Sequence, residues 1–284
     1  MTETRRSQHA PQKKKKTKYK IHWFRILFAI IIVCGIVGCG VFAGVWASVA
    51  KDVPDLDSVD LDNYSVTSIV LDKDENQISN LHAGENRVPV EYDEISPNAV
   101  NALIAIEDQR FRTHNGIDPI RIAGAMVANI KAGHIVQGGS TITQQLVGLV
   151  FLDRLNDKSY TRKMKEAILA MRLEKECSKD EIITHYLNRV FFGGAYGIEA
   201  ASEYFFAKHA SELTIPEAAL LAGCIQNPTK WSPIGNPENA LYRRNLVLDQ
   251  MVECGFITQD EADQYKATEI QLSENRVIAK ESGS

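Results

Sequence analysis

Residues 105–116 read AIEDQRFRTHNG and set two adjacent carboxylates, Glu107 and Asp108, at the end of an apolar run. The lead-in, NAVNALIAIEDQ, carries Val100, Leu103, Ile104 and Ile106 close to helical spacing. A helix that continues through the acids aligns Glu107, Phe111 and His114 on one face, as i, i+4 and i+7. A carboxylate at the rim of such a helix has the partial burial that raises a pKa toward the range of a general acid or base. The same pattern also describes an exposed polar turn closing a core helix, and this stretch by itself leaves both readings open.

The chain around it has 284 residues, enough for one sizeable globular domain with attachments. Its net charge of −4 hides an asymmetry. Residues 1–25 hold nine Lys and Arg against one acid, Glu3, and the remainder holds 23 bases against 35 acids. An acidic globular part offers no basic surface in excess, which argues against a nucleic-acid partner. Directly after the basic run comes ILFAIIIVCGIVGCGVFAGVWASVA, residues 26–50, without a charge. About 20 apolar residues cross a bilayer as a helix, and cations on the N-terminal flank place that side in the cytoplasm. The run exceeds the roughly 7–15 residues of a signal-peptide core, so an uncleaved anchor is expected, with the rest of the chain outside the cytoplasm. Cys34 and Cys39 fall in this segment, while Cys177, Cys224 and Cys254 come later without metal-ligand spacing. No zinc site and no disulfide framework is inferred, and Cys224 in ALLAGCI reads as a small buried hydrophobe.

Composition divides the chain beyond the anchor. Residues 51–95 open with an Asp-rich juxtamembrane spacer broken by Pro54, then SVTSIVLDKDENQISNL, two short strands around a polar turn at 72–76. From about Ser96 to 265 the pattern is helical, and 266–284 reads as a tail or the start of a linker. Thr141 with Gln144, Ser178 with Glu181, Thr214 with Glu217 and Thr258 with Glu261 have capping-box spacing. Asn236-Pro237 marks another helix start, and Gly255 a helix end. The expected class is mainly α, with a small β element near the membrane and one N-terminal transmembrane helix.

Three further stretches carry polar groups in suggestive order. QGGSTITQQL, residues 137–146, opens a helix with hydroxyls and amides, a setting for an anionic or sugar-rich ligand or simply a well-capped helix. In RKMKEAILAMRLEKE, residues 162–176, Glu166 lies four after Arg162 and three after Lys163, the spacing of ordinary ion pairs or of a second carboxylate held among cations. YLNRVFFGGAYGIEAASEYFF, residues 186–206, and LTIPEAALLAGCIQNPTKWSP, residues 213–233, are rich in aromatics, glycine and apolar residues, as packing around tight turns often is.

Taken in order, these stretches resemble the peptidoglycan glycosyltransferase family, the lysozyme-like two-lobed domains of class A penicillin-binding proteins and monofunctional transglycosylases. The motif E-D-x-x-F-x-x-H-x-G is matched by Glu107, Asp108, Phe111, His114 and Gly116, G-G-S-T-I-T-Q-Q-L by residues 138–146, and R-K-x-x-E by Arg162, Lys163 and Glu166. The later stretches match the fourth and fifth motifs, and the resemblance covers residues 65–265. It implies polymerisation of lipid II into β-1,4-linked glycan with inversion and release of undecaprenyl pyrophosphate. Glu107 is then the general base on the acceptor 4-hydroxyl, and Glu166 supports the donor side, through Mg²⁺ or Mn²⁺ or through Arg162, Lys163 and Lys165. The substrate-binding set it implies is Asp108, Phe111, His114, Gly116, Gln137, Gly139, Ser140, Thr141, Thr143, Gln144, Gln145, Arg162, Lys163, Lys165, Tyr196, Gln226 and Thr229. Implied partners are lipid II, the growing strand, the membrane, a transpeptidase and division or elongation proteins, with a divalent cation and no organic cofactor. Residues 117–136, with Ile122, Met126 and Ile130 on one stripe, read equally as the family's membrane-touching segment or as core.

The sequence departs from the family at several points. After Q-Q-L the family has x-K-N, whose lysine helps hold the pyrophosphate; here Gly148 and Leu149 stand in those places. Ala207 replaces a usual glycine, and the FFGGAYG turn is one residue short of many relatives. A catalytically impaired homologue, acting as a membrane-anchored lipid II-binding or cell-wall scaffold, is the alternative these departures raise. A lysozyme-type hydrolase is a third, since it also works with two carboxylates. The transpeptidase domain of bifunctional relatives is not in these residues, so the chain is expected to be monofunctional or the amino-terminal part of a longer protein.

Overall fold

The computed structural model describes residues 23–58, 60–62, 64, 68–71, 77–81, 87–134, 137–152 and 160–274. The basic run at 1–22, the hairpin turn at 72–76 and the tail from 275 lie outside the described residues. The chain divides into two compact units, residues 1–48 and 49–284.

Helix α1, Trp23–Lys51, begins three residues before the uncharged run and carries through it. Among the described residues it is the helix long and apolar enough to cross a membrane, with a mean hydropathy of 2.9 and an apolar window left unburied.

In the second unit, strands β1 (Ser68–Leu71) and β2 (Gln77–Leu81) pair antiparallel, with Ser68 opposite Leu81 and a register irregularity after Val70. The rest of its regular structure is helical: α2 (Pro97–Glu107), α3 (Pro119–Ala132), α4 (Ile142–Phe151), α5 (Tyr160–Glu176), α6 (Lys179–Leu187), α7 (Ile198–Phe206), α8 (Ile215–Cys224), α9 (Pro237–Glu253) and α10 (Gln259–Lys266). Helices α2, α8 and α9 pack on one another, with α10 on α9, while α4 packs on α5 and α6. Leu103, Leu220, Leu221, Val247 and Leu248 fill the first group; Ile142, Leu146, Leu169, Leu173 and Ile182 fill the second.

The helix boundaries follow from local chemistry. The four expected capping boxes form at Thr141, Ser178, Thr214 and Thr258. At Asn236 the helix starts where expected with Pro237 in its first turn, but the Asn236 amide turns away and donates to the Thr229 carbonyl at 3.0 Å. Gly255, at φ +74°, closes α9: its N–H meets the Val252 carbonyl and that of Phe256 meets Met251, the paired bonds of a Schellman ending.

Two readings that the sequence left open narrow here. Helix α2 does not run on to His114; it stops at Glu107, because Asp108 takes an extended backbone (φ −160°, ψ 74°) and sends its carboxylate inward. Of its two readings, the α3 stripe does not take that of core: Ile122, Met126 and Ile130 are 44%, 60% and 72% exposed, and of the helix only Ala125 is buried. Cys224 is buried as expected, and burial pushes its thiol up to about 12.

Candidate active site

Because α2 ends at Glu107, its half-buried carboxylate projects where the chain turns away. Its Oε2 accepts a 2.7 Å hydrogen bond from the Gln145 side-chain amide of α4. Its Oε1 has no hydrogen bond among the described residues. The other end of the same amide, Gln145 Oε1, accepts from the Tyr186 hydroxyl of α6, also at 2.7 Å. Tyr186 is buried, and burial, then the Glu107 charge, raise its phenol well above the ordinary value. It therefore stays protonated and donates at any working pH.

Three residues further along α4 stands Gly148, on the face that carries Gln145, since positions three apart are neighbours on a helix. A Cβ at Gly148 would sit 3.7 Å from Glu166 Oε1. One face of α4 thus adjoins both acids, Glu107 through Gln145 and Glu166 one turn on. Glu166, buried on α5, is held by its own helix: Arg162 Nε lies 3.2 Å from Oε1 and Lys163 Nζ 2.5 Å from Oε2. Lys165 is half-buried and makes no hydrogen bond or ion pair among the described residues.

A divalent cation at Glu166 does not suit this donor set. Mg²⁺ and Mn²⁺ sites gather several oxygens around a net negative centre. Here a single carboxylate has both oxygens committed to two cations. Among the described residues, the cluster with metal-ligand proximity is Glu199, Glu203 and His209, where burial and then Glu199 raise the Glu203 carboxyl.

Much of the expected substrate-binding set turns out to be bracing. Asp108 is fully buried, and its Oδ2 accepts from the Ile142 N–H at 3.1 Å and pairs with His114 Nε2 at 2.8 Å. It thereby ties the loop after α2 to the first turn of α4. His114 is buried edge-on against Phe111, itself wholly enclosed. Gly116 has φ +88°, and a Cβ there would lie 2.6 Å from the Ala170 carbonyl carbon of α5. Its own carbonyl accepts from Thr141 Oγ1 at 2.6 Å. Thr143 donates to Glu174 at 2.6 Å, and Gln144 closes the cap on Thr141. These buried side chains hold the elements of the site together, while Asp108 Oδ1 and His114 Nδ1 stay buried without a hydrogen bond among the described residues. Asp108, Phe111, His114, Gly116, Thr141, Thr143 and Gln144 thus brace the elements that carry the site.

The remaining expected residues lie at the surface. Gln137 pairs its backbone with the Asn129 side chain. Gly139 packs on Ile122, where a Cβ would come within 3.3 Å, and Ser140 is half-buried. Tyr196 stacks with Phe191 at 4.7 Å under the Arg87 guanidinium. Gln226 and Thr229 are exposed, and their side chains bond to none of the other site residues.

Arg243 of α9 belongs to the site although no motif points to it. Burial lowers its guanidinium, and the Glu107 charge opposes that shift. Its Nε is buried without a hydrogen bond, and its guanidinium lies 5.8 Å from the Trp231 ring centre. Tyr186 opens the stretch that matches the fourth motif, but the sequence assigns it no role beside Glu107.

Comparison with known proteins identifies the family. The family described as Transglycosylase matches residues 74–252. Penicillin-binding protein 1A/1B of Bacillus subtilis is 41% identical over 278 residues, covering 96% of this chain and 29% of that protein. Penicillin-binding protein 1A of Aquifex aeolicus is 47% identical over 181 residues, covering 63% of this chain and 25% of that protein. A crystal structure of penicillin-binding protein 1A from Haemophilus influenzae aligns with 75% of this chain and 22% of that one, at 20% identity and a TM-score of 0.42. The chain thus spans less than a third of the length of these two relatives.

Proposed function

Because the chain belongs to the transglycosylase family, we propose that it polymerises lipid II into β-1,4-linked glycan, with Glu107 as the general base. The observation that carries this reading is the asymmetry of the Glu107 carboxylate, with Oε2 bonded to Gln145 and Oε1 without a hydrogen bond among the described residues. A base needs an unengaged lone pair within reach of the proton it removes. The acceptor 4-hydroxyl gives its proton to Oε1 as its oxygen attacks the lipid-linked sugar carbon from the face opposite the pyrophosphate. The departing pyrophosphate is already anionic and needs positive charge more than a proton. Arg162 and Lys163, anchored by Glu166, are placed to provide it. No step requires a metal bound at Glu166.

Topology supports the same reading. The lipid-linked substrate lies outside the cytoplasm, where an anchor with a basic N-terminal flank places the second unit. The exposed stripe of Ile120, Ile122, Met126 and Ile130 on α3 is suited to rest in lipid near that substrate. The peptide cross-links that complete a wall are the work of a transpeptidase, which we expect as a partner together with division or elongation proteins. No feature of the site favours the scaffold or the hydrolase.

Gel-resolved polymerisation of labelled lipid II by the full chain in detergent tests the proposal. Wild type gives a ladder, and Glu107→Gln lowers its rate by about 10²–10⁴, the usual contribution of a positioned base. A ladder of undiminished rate from Glu107→Gln removes Glu107 from that role.

A further inference from the structure

Tyr186 neither belongs to the acids and cations of the site nor touches open space, yet it completes a three-member chain that ends on the base. Its hydroxyl donates to Gln145 Oε1 at 2.7 Å, and Gln145 Nε2 donates to Glu107 Oε2 at 2.7 Å. A glutamine side chain turned by 180° exchanges its oxygen and nitrogen at little intrinsic cost, so its orientation is set by its neighbours. Here both neighbours act in the same sense. The phenol, kept protonated by burial, offers an O–H that only the amide oxygen can accept. The carboxylate offers lone pairs that only the amide nitrogen can satisfy.

Building on the polymerase reading, we propose that Tyr186 is a positioning residue that acts through Gln145 to select which oxygen of Glu107 takes the proton. With the amide locked, Oε2 has its in-plane partner and Oε1 stands open to receive the hydrogen of the attacking hydroxyl. Once that proton arrives, the carboxyl becomes a potential donor, and an unlocked glutamine is free to turn and accept from it. The Tyr186 bond opposes that turn, and once the proton on Oε1 has passed to water the carboxylate stands in its starting arrangement for the next addition. Relays of this kind act through geometry, because a misplacement of about 1 Å in a reacting group can cost roughly 10²-fold in rate.

Two measurements on the full chain in detergent test it. The first needs no activity: the side-chain amide resonances of Gln145 in glutamine-labelled protein. They are expected to move on Tyr186→Phe, which keeps the ring and loses only the hydroxyl, and on Glu107→Gln. Resonances unmoved by Tyr186→Phe overturn the relay. The second is a double-mutant cycle on lipid II polymerisation. Tyr186→Phe is expected to lower kcat about tenfold, with KM within twofold, and to have no further effect once Gln145→Leu is present. Additive losses, or a loss confined to KM, also overturn it. A wild-type chain that forms no polymer defeats the polymerase reading instead, and the resonances then decide the relay without it.

Discussion

Replacing Asp108 by alanine removes the acceptor that joins three elements, the loop after α2, the first turn of α4 and His114. Asp108 is completely enclosed, so no water takes its place beside the Ile142 N–H and His114 Nε2. Each buried donor left unpaired costs about 1–3 kcal/mol, and the pair together about 3–5. For a domain of this size that lowers Tm by roughly 6–20 °C. Asp108→Asn is the instructive control. Both bonds converge on Oδ2, while Oδ1 makes none and lies 3.8 Å from Arg121. An asparagine with its carbonyl in the Oδ2 place keeps both bonds, but loses the charge facing Arg121 and buries an amide N–H without an acceptor there, a change of about 1–3 kcal/mol. Thermal unfolding of the detergent-solubilised chain, followed by circular dichroism, separates the cases. Expected is a large fall for alanine and a smaller one for asparagine, with activity per folded molecule nearly intact in the latter. A melting temperature untouched by Asp108→Ala, with KM raised, would restore Asp108 to the substrate and refute the bracing role.

Ala207 is the non-glycine residue with positive φ among those described (φ 54°, ψ 44°), at the end of α7. Ala207→Gly is expected to stabilise the fold by about 0.5–1 kcal/mol, read as a rise in Tm of a few degrees; a fall contradicts the strain assigned there. Gly116→Ala meets both a left-handed backbone and the α5 main chain at 2.6 Å, so a loss above about 3 kcal/mol or failure to fold is expected in the same assay. Hydrogen bonding to Glu199, then its charge, raises the His209 pKa above its ordinary value. The contribution of this pair is full below the unfolded value near 6.5 and disappears as pH rises through the higher folded value. Stability measured from about pH 6 upward should fall more in wild type than in His209→Ala, and parallel curves would exclude it.

The sequence announces what is local and conceals what is brought together from afar. Capping boxes, the proline start of α9, the Gly255 ending and the Arg162–Lys163–Glu166 pairs are all readable because their partners stand three or four residues apart. The extension of α2 to His114 fails for a tertiary reason: Asp108 gains more from the Ile142 N–H, 34 residues away, than from one more helical turn. The same reason turns Phe111 and His114 from a lining into a buried brace. The stripe on α3 shows the limit of periodicity, which identifies an apolar face without saying whether protein or lipid covers it. Arg243 gives no signal and Tyr186 only its place in the fourth-motif stretch, because a tyrosine 41 residues from Gln145 and an arginine 136 residues from Glu107 become site residues only through packing.

Gly148 is where sequence and structure illuminate each other most. Against the family pattern it reads as a lost cation, and in the fold it lies on the α4 face that adjoins Glu166. A lysine rooted there would begin beside a carboxylate that Arg162 and Lys163 already hold. Within α5 the three side chains sum to one positive charge, and an added lysine would raise that to two around a buried acid. Lys165, which joins no pair among the described residues, is not part of this balance, so the geometry assigns any compensation to Lys163. Lys163 is 60% exposed along its side chain, so of the two cations it is the one able to turn toward a phosphate while Arg162 stays on the buried acid. Arg162, more enclosed, keeps its contact with the acid while Lys163 moves. A glycine at 148 then leaves room on the α4 side for an anionic group to approach the pair, where a longer side chain would occupy the space with its own charge.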